Sequence, residues 1–559
     1  MGEYKTPGVY IVEKSAFPNS VVEAPTAIPA FIGITQKAEN GADSLLMKPW
    51  KISSMTEYVK YFGEGPSLDF KVDIKTYDPG ASRDSEGAIT PKDAVMKPDP
   101  GIFQQVVEVV ETNEKNESVK KGYAFCVTGD NKYTLYRQML MFFANGGGTC
   151  YIVSVGTYGA MLSKESVAGA LSALEKEQEI TMVVVPEAAY SASCSDMQTQ
   201  MLNHCVKMQN RFAIFDVQPK SDENEPMALQ ISKFQTGIGA NGLSYGAAYY
   251  PWLNTSVLSE IKPGMVELGE GFQTHCRRFF GSDPHLAQAI EQCMAKKITL
   301  SVGQSQIING VLYKYDDSGA TPEEKQKKNT IEISPESQTV NRVNLHYLLV
   351  KSSPLYQTAM KALKSHLNLL PPSAAMAGLY TMVDQTKGVW KAPANVSVNY
   401  VQSPSEIIDN AAQMDLNVPM NGKAINAIRS FIGEGIKVWG ARTLDGNSLD
   451  WRYINVRRTM LFLEESIKNA ARAYVFEAND ANTWLNMKCM IENFLRGVWK
   501  RGGLAGSVPE DAFSVHVGLG DTMAPEDILE GMLRITVLVA ISRPAEFIEI
   551  TFQQQMQKS

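Results

Sequence analysis

No Cys-x-x-Cys pair occurs in this 559-residue sequence, and its seven cysteines (126, 150, 194, 205, 276, 293, 489) are scattered and odd in number. A disulfide framework is thereby excluded, and the thiols read as reduced, mostly buried side chains of a cytoplasmic chain. The six histidines (204, 275, 285, 346, 366, 516) show no His-x-x-x-His or His-Glu-x-x-His spacing. His204-Cys205 and His275-Cys276 are adjacent residues whose side chains aim apart on a helix or a strand, so no metal site is expected. Basic excess is lacking too. Against 60 acidic residues stand 53 lysines and arginines, and the net charge of −7 argues against a nucleic-acid surface. The longest apolar run near the end is broken by Arg534 and is too short to span a membrane, and Met1 to Thr6 has no apolar core of a signal peptide. No repeat of fixed period and no long low-complexity segment is present. No membrane insertion and no cofactor is expected.

What is present is length enough for two or more domains that fold without staples. From about Ala30 short β-rich runs alternate with amphipathic helices: Phe31 to Ile34, Met55 to Phe62, Tyr133 to Ala144, Tyr151 to Val155. Leu171 to Glu177 then precedes Thr181 to Pro186, and Met201 to Gln209 precedes Phe212 to Val217. That order predicts an α/β layer with a buried parallel sheet. Pro66 to Lys121 and Ser256 to Asn344 interrupt the rhythm with charge and turn signals, and read as surface insertions or small outer subdomains.

The last quarter reads as α+β. One helix is predicted from about Arg457 to Val475, with Met460, Leu463, Ile467, Ala471 and Tyr474 on one stripe. A second follows the cap pair Asn479-Asp480 and buries Trp484, Met487, Ile491, Phe494 and Val498 before Gly502-Gly503 stops it. Its other side carries Lys488, Glu492, Arg496 and Lys500, and Arg501 follows. Spacing alone favours a solvated face with Glu492 paired to Lys488 and Arg496. A long alternating strand (Leu533, Ile535, Val537, Val539, Ile541) and a second strand, Phe547 to Phe552, close the chain.

Several motifs fail on context. Gly242-Leu243-Ser244-Tyr245-Gly246 fits the nucleophile elbow of serine hydrolases, but Gly246 leads into the β-rich run Ala247 to Leu253, where the elbow needs a helix. Gly237 to Gly242 fits Gly-x-Gly-x-x-Gly, yet neither a strand before nor a helix after it is predicted. Asn145-Gly146-Gly147-Gly148 lacks the Lys-Ser/Thr of a phosphate loop and reads as a tight reversal between helix and strand. No catalytic residue is nominated. A serine hydrolase using Ser244 stays as the distant alternative.

Taken in order, Tyr4 to Ile11, Phe31 to Gly33, Phe142 to Val155, Tyr249 to Leu253, Pro371 to Asn395, Trp439 to Leu444, Phe476 to Trp484 and Gly518 to Phe547 closely resemble the tail sheath proteins of contractile phages and phage-tail-like injection systems. The resemblance covers most of the chain outside the two insertions. Ala478 departs from it, standing where the family often has proline.

The resemblance implies a non-enzymatic subunit that polymerises with itself as a helical sleeve around an inner tube and contracts to drive the tube through a target envelope. It implies an injection-system sheath, with a phage tail sheath as the alternative. It also implies baseplate and terminal-cap partners, sheath paralogues as further neighbours, assembly in the bacterial cytoplasm and release in a particle. As to fold, it implies an N-terminal arm (1–20), an α/β domain of subtilisin-like topology (21–400, insertions at about 66–121 and 256–344), a C-terminal sheath domain (401–545) and a C-terminal arm (546–559). The arms would pair with strands of neighbouring subunits through Val9, Tyr10, Ile11 and Val12, and through Phe547, Ile548, Ile550 and Phe552. Lys488, Arg496, Lys500 and Arg501 would meet an acidic tube exterior. Val9 to Val12 are apolar on both faces, which suits a strand that completes itself on another sheet.

Overall fold

A computed structural model of the chain describes residues 21–66, 70–77, 101–112, 118–129, 133–220, 225–280, 283–308, 311–319 and 321–551. Val9 to Val12 and Phe552 lie outside them. The chain divides into two units, one formed by residues 1–64, 135–253 and 371–559, the other by 65–134 and 254–370.

A nine-stranded sheet organises the first unit. Its middle is parallel: Pro29–Thr35 lies between Cys150–Thr157 and Met182–Val184, and beyond the latter follow Phe212–Asp216, Gly246–Tyr250 and Ile425–Phe431. Antiparallel strands close both sides, Trp50–Ile52 on one and Gly435–Trp439 with Val396–Ser397 on the other. Every residue of Pro29–Thr35 is buried, as expected of a strand covered on both faces, and for that reason the run reads as continuously apolar instead of alternating. Helices Lys164–Leu174 and Cys194–Met208 supply Val167, Leu171, Leu174, Met197 and Met201 to the core on the sheet.

The helix Met55–Phe62 is found at the bounds read from sequence, capped by Ser54, whose side chain accepts from the Glu57 N–H. The glycine run after the helix Leu135–Ala144 is a reversal, as expected. Gly146 has φ of +92°, and a Cβ on Gly147 would lie 2.6 Å from the Phe142 ring. Neither position accepts a side chain without strain.

Two expectations change. The region after residue 401 is not separate from the sheet, because Ile425–Phe431 and Gly435–Trp439 are two of its strands. A second core gathers beyond them, where Phe462, Leu463, Met490, Ile491, Phe494, Leu495 and Val498 pack with Phe513 and Val515. The first long helix also begins earlier and ends earlier than its apolar stripe suggested, at Ile454–Ala471, with a 3-10 turn over Arg472–Tyr474. Residues 454–459 are buried on all sides although Asn455, Arg457, Arg458 and Thr459 are polar, so hydrophobic periodicity misses this turn.

The second unit joins the two stretches read as insertions. Phe70–Tyr77 pairs antiparallel with Ser118–Gly129, which pairs with Phe103–Thr112, while Val266–Leu268 adds parallel to Phe70–Tyr77. Phe70, Val72, Ile74, Tyr123, Phe125 and Val127 form one apolar face, covered by Phe272, Phe279, Leu286, Ile290, Leu345, Leu349 and Leu363 from helices of the later segment. Each segment contributes half of one core. Neither therefore looks like a domain when read alone.

Candidate interaction surfaces of the C-terminal region

The helix Ala481–Lys500 starts where Asp480 caps it: its Oδ1 accepts from the N–H groups of Asn482 and Thr483 at 3.0 and 2.9 Å. Met487, Ile491, Phe494 and Val498 are buried, while Trp484 is half-buried and donates its indole N–H to Asn479 Oδ1 at 2.7 Å. On the opposite side Lys488 and Glu492 approach to 3.9 Å. The second expected pair, Glu492 with Arg496, is not formed; Arg496 and Lys500 are exposed and make no ion pair among the described residues. Arg501 is differently placed. It bonds Glu23 through both terminal nitrogens and lies 5.2 Å over the Trp390 ring. Of the four cations proposed from sequence, two are thus unengaged and two have partners within the chain.

Sequence reading missed Phe476, at the turn before this helix. It is fully exposed and has φ of +73°, a region that bulky residues rarely adopt. Val475 beside it is 60% exposed. The adjacent large apolar pair Val475-Phe476, just before the cap pair Asn479-Asp480, was the available signal.

The end of the chain is a short sheet followed by an open segment. Phe513–His516 pairs antiparallel with Thr536–Val539. The alternation read over residues 533–541 holds, since Ile535, Val537, Val539 and Ile541 all pack on the C-terminal core, but only four residues form strand because Phe513–His516 offers four ladder partners. The strand expected at Phe547 to Phe552 is absent from residues 547–551, which make no hydrogen bond among the described residues. A strand needs a ladder, and none is provided among the described residues. Phe547, Ile548 and Ile550 are 75%, 78% and 69% exposed.

Just before that segment the chain is held firmly. Glu546 accepts from Arg442 Nε and Nη2 at 2.9 and 2.7 Å, from the Tyr453 hydroxyl at 2.9 Å and from Asn417 Nδ2 at 2.7 Å. Burial pulls the carboxyl upward, but Arg442, Asn417 and Tyr453 together hold it below the usual carboxylate range.

A buried network ties the sheet to the C-terminal helices. Arg458 meets Asp384 in a two-pronged pair of 2.9 and 2.6 Å, donates to the Thr26 carbonyl at 2.9 Å and lies 4.7 Å over the Tyr380 ring. The Tyr380 hydroxyl in turn bonds that of Tyr249 at 2.6 Å. Arg457 is stacked between Tyr245 and Trp451.

The places where an α/β enzyme would keep its chemistry are filled or misdirected. In a parallel sheet whose strand order reverses, ligands bind outside the carboxyl ends of the strands flanking the reversal, here Pro29–Thr35 and Met182–Val184. At that point Glu187 accepts from the Ile34 and Leu135 N–H groups at 2.7 and 3.0 Å. A Cβ on Gly33 would lie 2.7 Å from the same carboxylate. The chain thus places its own anion at the start of the helix Leu135–Ala144. Ser244 lies in a 3-10 turn that feeds the strand Gly246–Tyr250, the reverse of an elbow. Gly237 ends the helix Met227–Gly237 instead of a strand. His204 is buried with its Nε2 2.7 Å from Arg211 Nη1; burial first, then the guanidinium, pushes its pKa down to about 4. Among the described residues no cluster of three or more metal-ligating side chains occurs, and no helix is long and apolar enough to cross a membrane.

Residues 447–555, which include both helices, the short sheet and the Glu546 anchor, match the family model of the phage tail sheath C-terminal domain. In this domain the chain resembles the tail sheath proteins. The tail sheath protein of Burkholderia phage BcepMu is 30% identical over 171 residues, which are 30% of this chain and 34% of that protein. That of Vibrio phage KVP40 is 26% identical over 135 residues, 24% of this chain and 20% of that protein. The matched segment therefore spans only 34% and 20% of these curated relatives. Solved structures of contractile injection systems match the whole chain. The contracted PVC sheath complex of an extracellular contractile injection system gives a TM-score of 0.54 at 23% identity, covering 100% of this chain and 99% of that one. The anti-feeding prophage baseplate in its contracted state gives 0.57 at 20% identity, covering 100% of both chains. The mixed α/β multidomain fold is that of contractile sheath subunits.

Proposed function

We propose that this chain is a structural subunit of a contractile sheath, a self-assembling helical sleeve around an inner tube, and that it catalyses no reaction. The observation that carries the reading is the fold match over the whole chain to injection-system sheaths. It is supported by the C-terminal domain match and by an enzyme-like switch point filled with the chain's own Glu187. A sheath works by two packings of one subunit, so energy stored on assembly is released when the extended packing gives way.

Within this reading the terminal segments are arms that add strands to neighbouring subunits. Val9, Tyr10, Ile11 and Val12 form one, and Phe547, Ile548, Ile550 and Phe552 the other. The exposed apolar residues after Glu546 favour it, because strand addition would supply the ladder and cover the side chains together. Lys488, Arg496, Lys500 and Arg501 face an acidic tube exterior, with Arg496 and Lys500 the leading pair and Arg501 shared with Glu23. The subtilisin-like topology of the α/β part, the division into two arms, an α/β domain and a C-terminal domain, with the boundary between the domains moved from residue 401 to beyond the strand Gly435–Trp439, the baseplate, cap and paralogue contacts, and assembly in the cytoplasm before release belong to the same proposal.

Whole-chain likeness favours the injection-system branch, while the curated relatives are phage proteins; capsid and terminase genes beside this one would decide for a phage tail. Sedimentation of the purified chain tests polymerisation. The expected result is a large pelletable assembly above a critical concentration, and a chain that stays monomeric even with tube and baseplate proteins contradicts the reading.

A further inference from the structure

The C-terminal segment changes character within one residue. Up to Glu546 it is strapped down: Asn455 Nδ2 donates to the Ser542 carbonyl at 3.0 Å, the Ser542 hydroxyl donates to the Gly502 carbonyl at 3.1 Å, and Arg543 Nη1 donates to the Leu449 carbonyl at 2.8 Å. Glu546 is the last and strongest of these ties, with a side chain only 19% exposed against an Arg442 that is 4% exposed. From Phe547 to Thr551 no tie remains among the described residues, and three large apolar side chains stand in solvent.

The holder of Glu546 is itself built into the sheet. Arg442 donates its N–H to Asn426 Oδ1 at 2.8 Å and its carbonyl accepts from Asn426 Nδ2 at 2.7 Å. Asn426 belongs to the strand Ile425–Phe431 and stands in register with Tyr249 on the parallel neighbour. A pull on the tail therefore runs from Glu546 through Arg442 and Asn426 into an inner strand of a nine-stranded sheet, the third from its Val396–Ser397 edge. Ordering one long acidic side chain with four charge-assisted bonds costs entropy that a frayed tail would not justify. Phe476, Ile407 and Met420 are exposed apolar residues elsewhere, yet none is joined to such an anchor.

We propose that Glu546 is the positioning residue of the C-terminal arm: its carboxylate, gripped by Arg442, Tyr453 and Asn417, fixes the point from which the arm reaches a second copy of this chain. The inference rests on the arm reading above and adds to it where the arm pivots and which residues set its direction. The N-terminal side of the described chain is tied down too, by the Ala24 N–H donating to the buried Ser466 Oγ at 3.0 Å and by the exposed Glu23–Arg501 pair, but through its backbone and surface and not through one largely buried carboxylate.

The test compares three full-length proteins: wild type, Glu546→Gln, and a triple variant with Phe547, Ile548 and Ile550 each changed to Asp. Glu546→Gln keeps the shape and loses the charge, so hydrogen exchange of amides 540–546 should quicken while the two long helices stay protected. Its critical concentration for polymerisation should rise about tenfold or more, the loss of one such charge-assisted anchor. Tyr453→Phe removes a single donor and should give a smaller rise in the same direction; it serves if Glu546→Gln does not fold. An unchanged critical concentration in Glu546→Gln with a released root overturns this proposal alone. Normal polymerisation by the triple-Asp variant overturns the arm reading and the proposal with it, and no polymer from wild type overturns the sheath function itself.

Discussion

Replacing Asp384 with Asn leaves the Arg458 guanidinium buried without its counter-charge, and the size of the loss follows from the geometry. The two side chains are 4% and 2% exposed and meet through bonds of 2.9 and 2.6 Å. Once the carboxylate is gone, Arg458 retains the Thr26 carbonyl and the face of Tyr380. Neither neutralises a charge. The expected cost is that of breaking a buried pair from one side, about 3–5 kcal/mol. Changing Arg458 to Met and Asp384 to Leu together removes both charges and keeps most of the volume, so the double variant should lose only about 1–2 kcal/mol, from the Thr26 carbonyl left without its donor and the missing ring stack. The two substitutions would then be strongly non-additive. Urea unfolding with hydrogen exchange resolved to Ser373–Lys387 and Ile454–Ala471 follows this network separately from the second unit. A loss below about 1 kcal/mol for Asp384→Asn, or a double variant that loses the sum of the singles, would refute the reasoning.

The buried His204 makes stability depend on acid. Its folded pKa of about 4 lies below the ordinary value of 6.5, so its contribution is complete above pH 6.5 and is lost as pH falls toward 4, by at most about 3 kcal/mol; in His204→Gln the urea midpoint should vary less across that window. Asp216 has the opposite sign, because burial raises its pKa from 3.8 to about 7. Its contribution is complete below the ordinary carboxylate value and fades as pH rises through 7, and Asp216→Asn should flatten that side of the curve. Phe476→Gly should leave the melting temperature level or raise it, since glycine takes a φ of +73° without strain, and a drop of several degrees would show that the aromatic ring packs in the free subunit. Reversing Lys488, Arg496 and Lys500 to Glu should weaken co-assembly with an acidic tube, most at low salt, without altering self-assembly; equal tube binding counts against that surface.

Much of this was legible in the residues. An amphipathic run located Met55–Phe62, a cap pair and an apolar stripe located Ala481–Lys500, and the order of runs pointed to the parallel sheet, because these signals are local. What escaped was non-local or polar. Phe70–Tyr77 and Val266–Leu268 are neighbours in space and almost 190 residues apart, so their shared core could not be read from either segment. Arg442 and Glu546 lie 104 residues apart, and no periodicity connects them. The buried turn at residues 454–459 is rich in polar side chains, which pattern reading assigns to solvent. The segment Phe547 to Thr551 is a different case: its large apolar residues are exposed, and no ladder partner for it occurs among the described residues.

Electron microscopy of the purified full-length chain tests the central claim most directly. The account predicts ribbed hollow tubes built from repeating rings of this subunit, formed without nucleotide. Dispersed particles of single-chain size at every concentration, alone and with tube and baseplate proteins, would contradict it.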